Sequence, residues 1–197
     1  MLRQRFWQEI FGNPHPVEVE IGPGKGGFLL AMARSYPQRN FFGIERSRRK
    51  ASRLSLLIKQ EGLANVIVIH ADATCILFTL IPPESVSAYH IYFPDPWWKK
   101  RHHKHRLFQG SLAMNLARTL SSGGYLFLAT DLHDYLAEAC SQIEASNGLI
   151  PFSWHKSFTT RRGKPILTDF ERKCLERGRP LYYAAFQKVR LESPFTI

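Results

Sequence analysis

The sequence predicts an α/β fold whose sheet is mostly parallel and closes on a C-terminal antiparallel hairpin. Three observations predict it. Short apolar runs rich in Val, Ile, Phe and Tyr recur along the chain, most without strict polar alternation, as in strands buried on both faces. Helical patterns separate these runs, and alternating strand and helix builds right-handed crossovers and a parallel sheet. The last two strand-like runs have a polar, turn-rich stretch between them and no convincing crossover helix, so they should pair antiparallel at the sheet edge.

The elements follow in order. Strands are read at "VEVEI" (17–21), "NFFGIE" (40–45), "VIVIH" (66–70), "AYHIYF" (88–93) and "GYLFLAT" (124–130). Helices are read at about 26–36, 46–61, 106–120 and 132–146, and the terminal hairpin pairs "FSWHKSF" (152–158) with "LYYAAFQKV" (181–189). No internal repeat, low-complexity segment or linker interrupts the chain. Its 197 residues suit a single domain, 1–197, with a full-sized core.

Composition narrows the class. With 44% hydrophobic and 22% charged residues the chain reads as globular, and its net charge of +11 fits either a polyanionic partner or a solubilising basic surface, which the placement of the charge has to decide. Cys75, Cys140 and Cys174 are scattered, with no CxxC pair, so neither a disulfide framework nor a zinc site is expected, and a reducing cytoplasm is. "MLRQRFWQEIFG" lacks the apolar centre of a signal peptide, and no apolar run approaches a membrane span.

The chemistry begins at "VEVEIGPGKGGF", which sets Gly22, Gly24, Gly26 and Gly27 directly after the first strand. Glycines allow a tight turn and close approach of a ligand, and the helix that follows offers unsatisfied N–H groups. Open α/β sheets bind ligands at this edge. The spacing fits two ligands: a dinucleotide, with G-x-G-x-x-G, or S-adenosylmethionine, with E-x-G-x-G-x-G. Glu20, at the strand end, favours the second, because a carboxylate suits a sulfonium and repels a pyrophosphate. Glu45 ends the second strand, where it could take both ribose hydroxyls. Asp72 follows the third, where it could accept from an adenine amino group. A lone strand-end acid is usually a solvated turn residue or a helix cap; three beside one glycine loop make a set.

A fourth acid, Asp95, follows the next strand in "FPDPWWKKRHHKHRL" (93–107). Pro94 and Pro96 restrict the backbone on both sides of it. Trp97 and Trp98 either offer stacking faces to a base or pack in the core, the core being favoured for Trp97, and residues 99–106 are all Lys, Arg or His. Lys99, Lys100, Arg101, Lys104 and Arg106 can neutralise phosphates; His102, His103 and His105 can hydrogen-bond RNA. No acid or Cys lies close enough in sequence to make those histidines a metal site. Further basic groups occur at "RSRRK" (46–50) and at Arg161, Arg162 and Lys164.

This stretch resembles the F-P-D-P-W-P-K-K-R-H-x-K-R-R signature of the bacterial tRNA (guanine-N7)-methyltransferase family. "VEVEIGPGKGGF", "GIE", "HADA", "LATD" and the C-terminal "TDFERKCLERGRPLYYAAFQK" fall in that family's order, over about residues 17–188. The resemblance implies a Rossmann-like class I S-adenosylmethionine-dependent methyltransferase fold. It implies a cytoplasmic enzyme that methylates N7 of guanosine 46 in the tRNA variable loop. It implies a donor site of Glu20, Gly22, Gly24, Gly26, Glu45, Asp72 and Asp95, with Asp95 catalytic. It also implies tRNA contacts by Lys99, Lys100, Arg101, His102, Lys104, Asp131, Thr168, Asp169, Phe170 and Glu171. Thr168 and Glu171 have capping-box spacing as well, a structural role compatible with a substrate role. Trp98 replaces the family's usual proline, and His105 a usual arginine. Monomer and homodimer both remain open. Competing readings are an exocyclic-amine nucleic-acid methyltransferase, a dinucleotide-dependent oxidoreductase and a non-catalytic RNA-binding protein.

Overall fold

The protein is described here as a computed structural model, which covers residues 2–95, 107–108, 110–146, 148–153 and 158–189. Its elements in order are α1 (Leu2–Phe11), β1 (Val17–Ile21), α2 (Gly27–Ser35), β2 (Asn40–Glu45), α3 (Arg48–Gln60), β3 (Val66–His70), α4 (Ala73–Thr79) and β4 (Val86–Tyr92). Then come α5 (Gly110–Thr119), β5 (Leu120–Thr130), α6 (His133–Glu144), β6 (Leu149–Pro151), α7 (Asp169–Glu176) and β7 (Tyr182–Lys188). Among the described residues the strands form one sheet in the order β3-β2-β1-β4-β5-β7-β6. Strands β1 to β5 pair parallel; β7 pairs antiparallel with both β5 and β6.

Apolar residues line both faces of the sheet, as the uninterrupted runs require. One face packs against α1, α4, α5 and α6, around Val19, Ile44, Tyr89, Ile91, Leu112, Leu116 and Leu128. The other packs against α2 and α3, around Phe28, Leu29, Phe41, Leu54 and Phe127. The strand order reverses between β1 and β4, and the crevice above that reversal is where such sheets take ligands.

The first three strands fall where the sequence puts them; the differences lie elsewhere. α1 carries no strand–helix alternation and was not expected, but Trp7 buries itself against Phe6, Phe11 and Phe42, and this packing holds a short helix that would be marginal alone. α4 was hidden in a short apolar run and is capped by Asp72. β5 begins at Leu120 rather than at 124, and the register against β4 shifts between Val86 and Ala88, which absorbs the Ser-Ser-Gly-Gly stretch.

The C-terminal region needs a correction. The antiparallel edge is present, but its outer strand is Leu149–Pro151; the expected 152–158 falls partly on 154–157, which lie outside the described residues. Phe152 still donates its N–H to Ala185. Phe158 has left the edge and lies on the sheet face, its ring 5.2 Å from Phe127, 5.4 Å from His90 and 5.9 Å from Phe28. Its apolar character serves the face and not an edge alternation. A helix, α7, also lies between the two paired strands.

Candidate active site

The site is built from the carboxyl ends of β1 to β4. After Ile21 the chain turns sharply, and Gly22, Gly24 and Gly26 all have positive φ. The loop is fixed from below: Gly22 donates to the Ile44 carbonyl at 2.9 Å, and Gly26 to Pro23 at 2.8 Å. Glu45 fixes it from the side, accepting from the Gly24 N–H at 2.9 Å and from the Ser47 N–H at 2.7 Å.

Two adjoining clefts open above this loop. The larger, about 640 Å³, is lined by Glu20, the glycine loop, Phe28, Lys50 and the start of α7 with Thr168, Asp169 and Phe170. The smaller, about 210 Å³, is lined by Ile21, Ile44, Glu45, Ala71, Asp72, Pro94 and Asp95. Gly22, Lys50, Tyr92 and Phe93 border both, so the two are lobes of one site. Asp95 reaches it because the chain bends at Phe93, a non-glycine residue at φ 51° whose N–H donates to Ala129 at 2.7 Å. That backbone carries strain of order 1–2 kcal/mol, located where the chain must turn the Pro-Asp segment over the smaller lobe.

The lobes therefore gather Glu20, Gly22, Gly24, Glu45, Asp72 and Asp95 from four strand ends. They bring Thr168, Asp169 and Phe170 across from α7. Three sequence-predicted residues stand elsewhere. Gly26 packs against α3: a Cβ on it would lie 2.2 Å from Leu54 Cδ1, so its smallness serves helix packing. Asp131 borders neither lobe and lies 4.0 Å from Arg179. Glu171 is fully buried, completing the capping box by accepting from the Thr168 N–H at 3.1 Å and taking the Tyr183 hydroxyl at 2.7 Å. Lys99, Lys100, Arg101, His102 and Lys104 lie outside the described residues, as do Trp97 and Trp98.

Sequence reasoning missed a buried polar chain beneath the larger lobe. Glu18 pairs with Arg39 and with His90 Nε2 at 2.8 Å; His90 Nδ1 lies 2.9 Å from the Tyr92 hydroxyl. Glu18, His90 and Tyr92 are all buried. Burial alone pushes the Glu18 carboxyl up, but the hydrogen bond and charge of His90, with Arg39, outweigh it and hold it below the usual carboxylate range. Burial, followed by the Glu20, Glu171 and Glu18 carboxylates, pushes the Tyr92 phenol well above its ordinary value. The available signal was the strict alternation of "VEVEI", where Glu18 and Glu20 share one sheet face with His90 and Tyr92.

The donor set fits a cationic, ribose-bearing ligand. Acids stand at the ends of β1, β2 and β3, apolar floor residues lie between them, and a pyrophosphate on that floor would meet the Glu20 and Glu45 carboxylates. Among the described residues no helix is long and apolar enough to cross a membrane.

Comparison with known proteins agrees. A family model described as "Putative methyltransferase" matches residues 14–184. The tRNA (guanine-N(7)-)-methyltransferase of Hydrogenovibrio crunogenus is 36% identical over 180 residues, 91% of this chain and 75% of that protein. That of Nitrosococcus oceani is 38% identical over 179 residues, 91% of this chain and 74% of that protein. Among solved structures, the 16S rRNA methyltransferase KamB superposes with TM-score 0.68 at 14% identity, covering 93% of each chain. The aminoglycoside resistance methyltransferase NpmB1 gives 0.61 at 16% identity, covering 94% of this chain and 93% of that one. These structures share the class I methyltransferase fold. With its strand order, its acid-ringed glycine loop and its sequence relatives, the chain belongs to the tRNA (guanine-N7)-methyltransferase family.

Proposed function

We propose that the protein transfers the methyl group of S-adenosylmethionine to N7 of a guanosine in the variable loop of tRNA, position 46, in the cytoplasm. The observation that carries the reading is the convergence of Glu20, Glu45, Asp72 and Asp95 on one two-lobed site beside the glycine loop.

S-adenosylmethionine supplies an electrophilic methyl carbon on a sulfonium sulfur. Glu45, already oriented by two backbone N–H groups, keeps lone pairs for the ribose hydroxyls. Asp72 uses one carboxylate oxygen to cap α4, accepting from Thr74 and Cys75, and keeps the other for the adenine amino group. Glu20 offers negative charge beside the sulfonium.

Guanine N7 has an in-plane lone pair and no proton. N7 therefore attacks directly, the C–S bond breaks with its electron pair on sulfur, and no base has to remove a proton from N7. The protein's task is orientation and exclusion of water. Asp95 accepts from guanine N1–H and the amino group, and offsets the positive charge that develops on the ring. Thr168, Asp169 and Phe170 close the substrate side, and the basic strip from Lys99 to Lys104 holds RNA phosphates.

Methyl transfer from labelled S-adenosylmethionine to unmodified tRNA, followed by nucleoside mass spectrometry, tests the reading. The expected product is 7-methylguanosine, absent when guanosine 46 is replaced. A methylated adenine or cytosine overturns the assignment of the Asp95 block.

A further inference from the structure

Glu20 and Glu45 lie buried in the floor of the site, and its exposed edge, which includes Asp72, Asp95 and Glu176, is richer in cations than in acids. Lys25 from the glycine loop, Arg46 before α3, Lys50 in the first turn of α3, and Arg172 and Lys173 on α7 all border a lobe, and all are exposed. Among the described residues Lys25, Arg46, Lys50 and Lys173 form no ion pair, and Arg172 has one exposed partner, Asp169, at 3.4 Å.

Folding gives little reason for most of these charges. The first turn of α3 carries Arg48, Arg49 and Lys50 with no acid, an arrangement the helix dipole disfavours. Lys25 stands in solvent on a loop that needs no cation; Lys173 suits the last turn of α7, yet it too is exposed and borders the larger lobe. A partner with regularly spaced negative charge accounts for them. The site also sorts the target nucleotide by its parts: the buried Glu20 and Glu45 carboxylates turn phosphate away from the floor, Asp95 accepts the guanine N–H groups, and the exposed cations take the phosphates.

Resting on the function proposed above, we infer that the RNA strand crosses the site mouth between the start of α3 and α7. Lys50 holds a phosphate on one side of the target guanosine and Lys173 holds one on the other, with Arg46 and Arg172 beside them. This track is separate in sequence from the 99–106 strip.

The test is tRNA binding at several salt concentrations for the wild-type protein, Lys50→Glu, Lys173→Glu and the double variant. Lys59→Glu serves as control, since it lies on the same helix about 14 Å from Lys50 at 1.5 Å per residue. Each rim variant should weaken tRNA binding about tenfold at low salt. The double variant should flatten the slope of log affinity against log salt by about 1.5, near 0.7–0.9 per lost phosphate contact. Lys59→Glu should leave the slope as it is. S-adenosylhomocysteine affinity, measured by calorimetry, should hold in Lys59→Glu; for Lys50, which borders both lobes, the readout is the salt slope, and Lys→Gln at both sites should weaken tRNA binding less than Lys→Glu.

An unchanged slope in the double variant overturns the inference. So does a loss of S-adenosylhomocysteine affinity with tRNA binding intact, which would assign the lysines to the donor carboxylate. Wild-type turnover separates the two readings. If the wild type makes 7-methylguanosine and the slope is unchanged, only the track is wrong. If it makes none, the function is wrong whatever the slope.

Discussion

Glu45 grips the glycine loop through the Gly24 N–H at 2.9 Å while bordering the lobe that suits a ribose. One carboxylate thus shapes the loop and faces the ligand. The second N–H, from Ser47 at 2.7 Å, leaves its orientation little freedom.

Glu45→Ala should therefore damage two properties at once. Hydrogen bonds to a charged group contribute about 2 kcal/mol, so donor affinity should fall by tenfold or more. The loop should also loosen, lowering the melting temperature by roughly 5 °C for a chain of this size. Calorimetry with S-adenosylhomocysteine and a thermal melt check both. Weaker binding with an unchanged melt would separate the ligand role from the clamp.

Asp95→Asn keeps the shape of the side chain and removes its charge. With both substrates saturating, kcat should fall about a hundredfold, the scale of losing one preorganised electrostatic contact in a transition state. S-adenosylhomocysteine should bind within a few-fold of the wild-type affinity. Near-normal kcat would remove Asp95 from the chemistry.

The buried Glu18 makes stability depend on acid. Its carboxyl is held below its unfolded value of 4.5, so the unfolded chain binds the proton more readily. The contribution is complete above about pH 4.5 and is lost as pH falls through the lower folded-state value. Glu18→Gln should cost about 1–3 kcal/mol at pH 7 by weakening the hydrogen bond to the buried His90 and removing the ion pair to Arg39. It should also show a shallower acid limb in urea unfolding between pH 3 and 7. Parallel acid limbs in the two proteins would count against this account.

Thr168 caps α7, its hydroxyl accepting from the Glu171 N–H at 3.0 Å, and it lines the larger lobe. Thr168→Ala should cost about 1 kcal/mol, or roughly 2–4 °C in melting temperature. Because the cap sets where Asp169 and Phe170 stand, KM for tRNA should rise several-fold while donor affinity holds. Steady-state kinetics with each substrate varied in turn will show whether the effect is confined to tRNA.

Much of the frame was legible because its signals are local. Turn signals at the ends and β-branched or aromatic residues between them bounded β1, β2 and β3 to the residue, although β1 alternates Val with buried Glu, and acids at strand ends fall on one edge once the strands are parallel. The failures were non-local. α1 is held by Trp7 against Phe42, a contact that no pattern within the first twelve residues announces. Phe158 alternates like a strand residue and packs on a face instead. Gly26 belongs to the loop motif, and only the position of Leu54 shows that its missing side chain makes room for a helix.

The sequence by itself determined strands β1 to β5 with helices α2, α3, α5 and α6, the glycine loop, the four strand-end acids and the family. Each is written in residue type and spacing along one stretch of chain. The tertiary structure decided which of these groups meet. It brought α7 across to Gly27, where a Cβ would lie 2.8 Å from Asp169 Oδ1, and it turned Glu171 inward to Tyr183. It also buried Glu18 against His90, seventy-two positions away. Contacts between residues distant in sequence depend on how the sheet orders its strands and on which side chains must leave water together, and neither can be read from spacing along the chain.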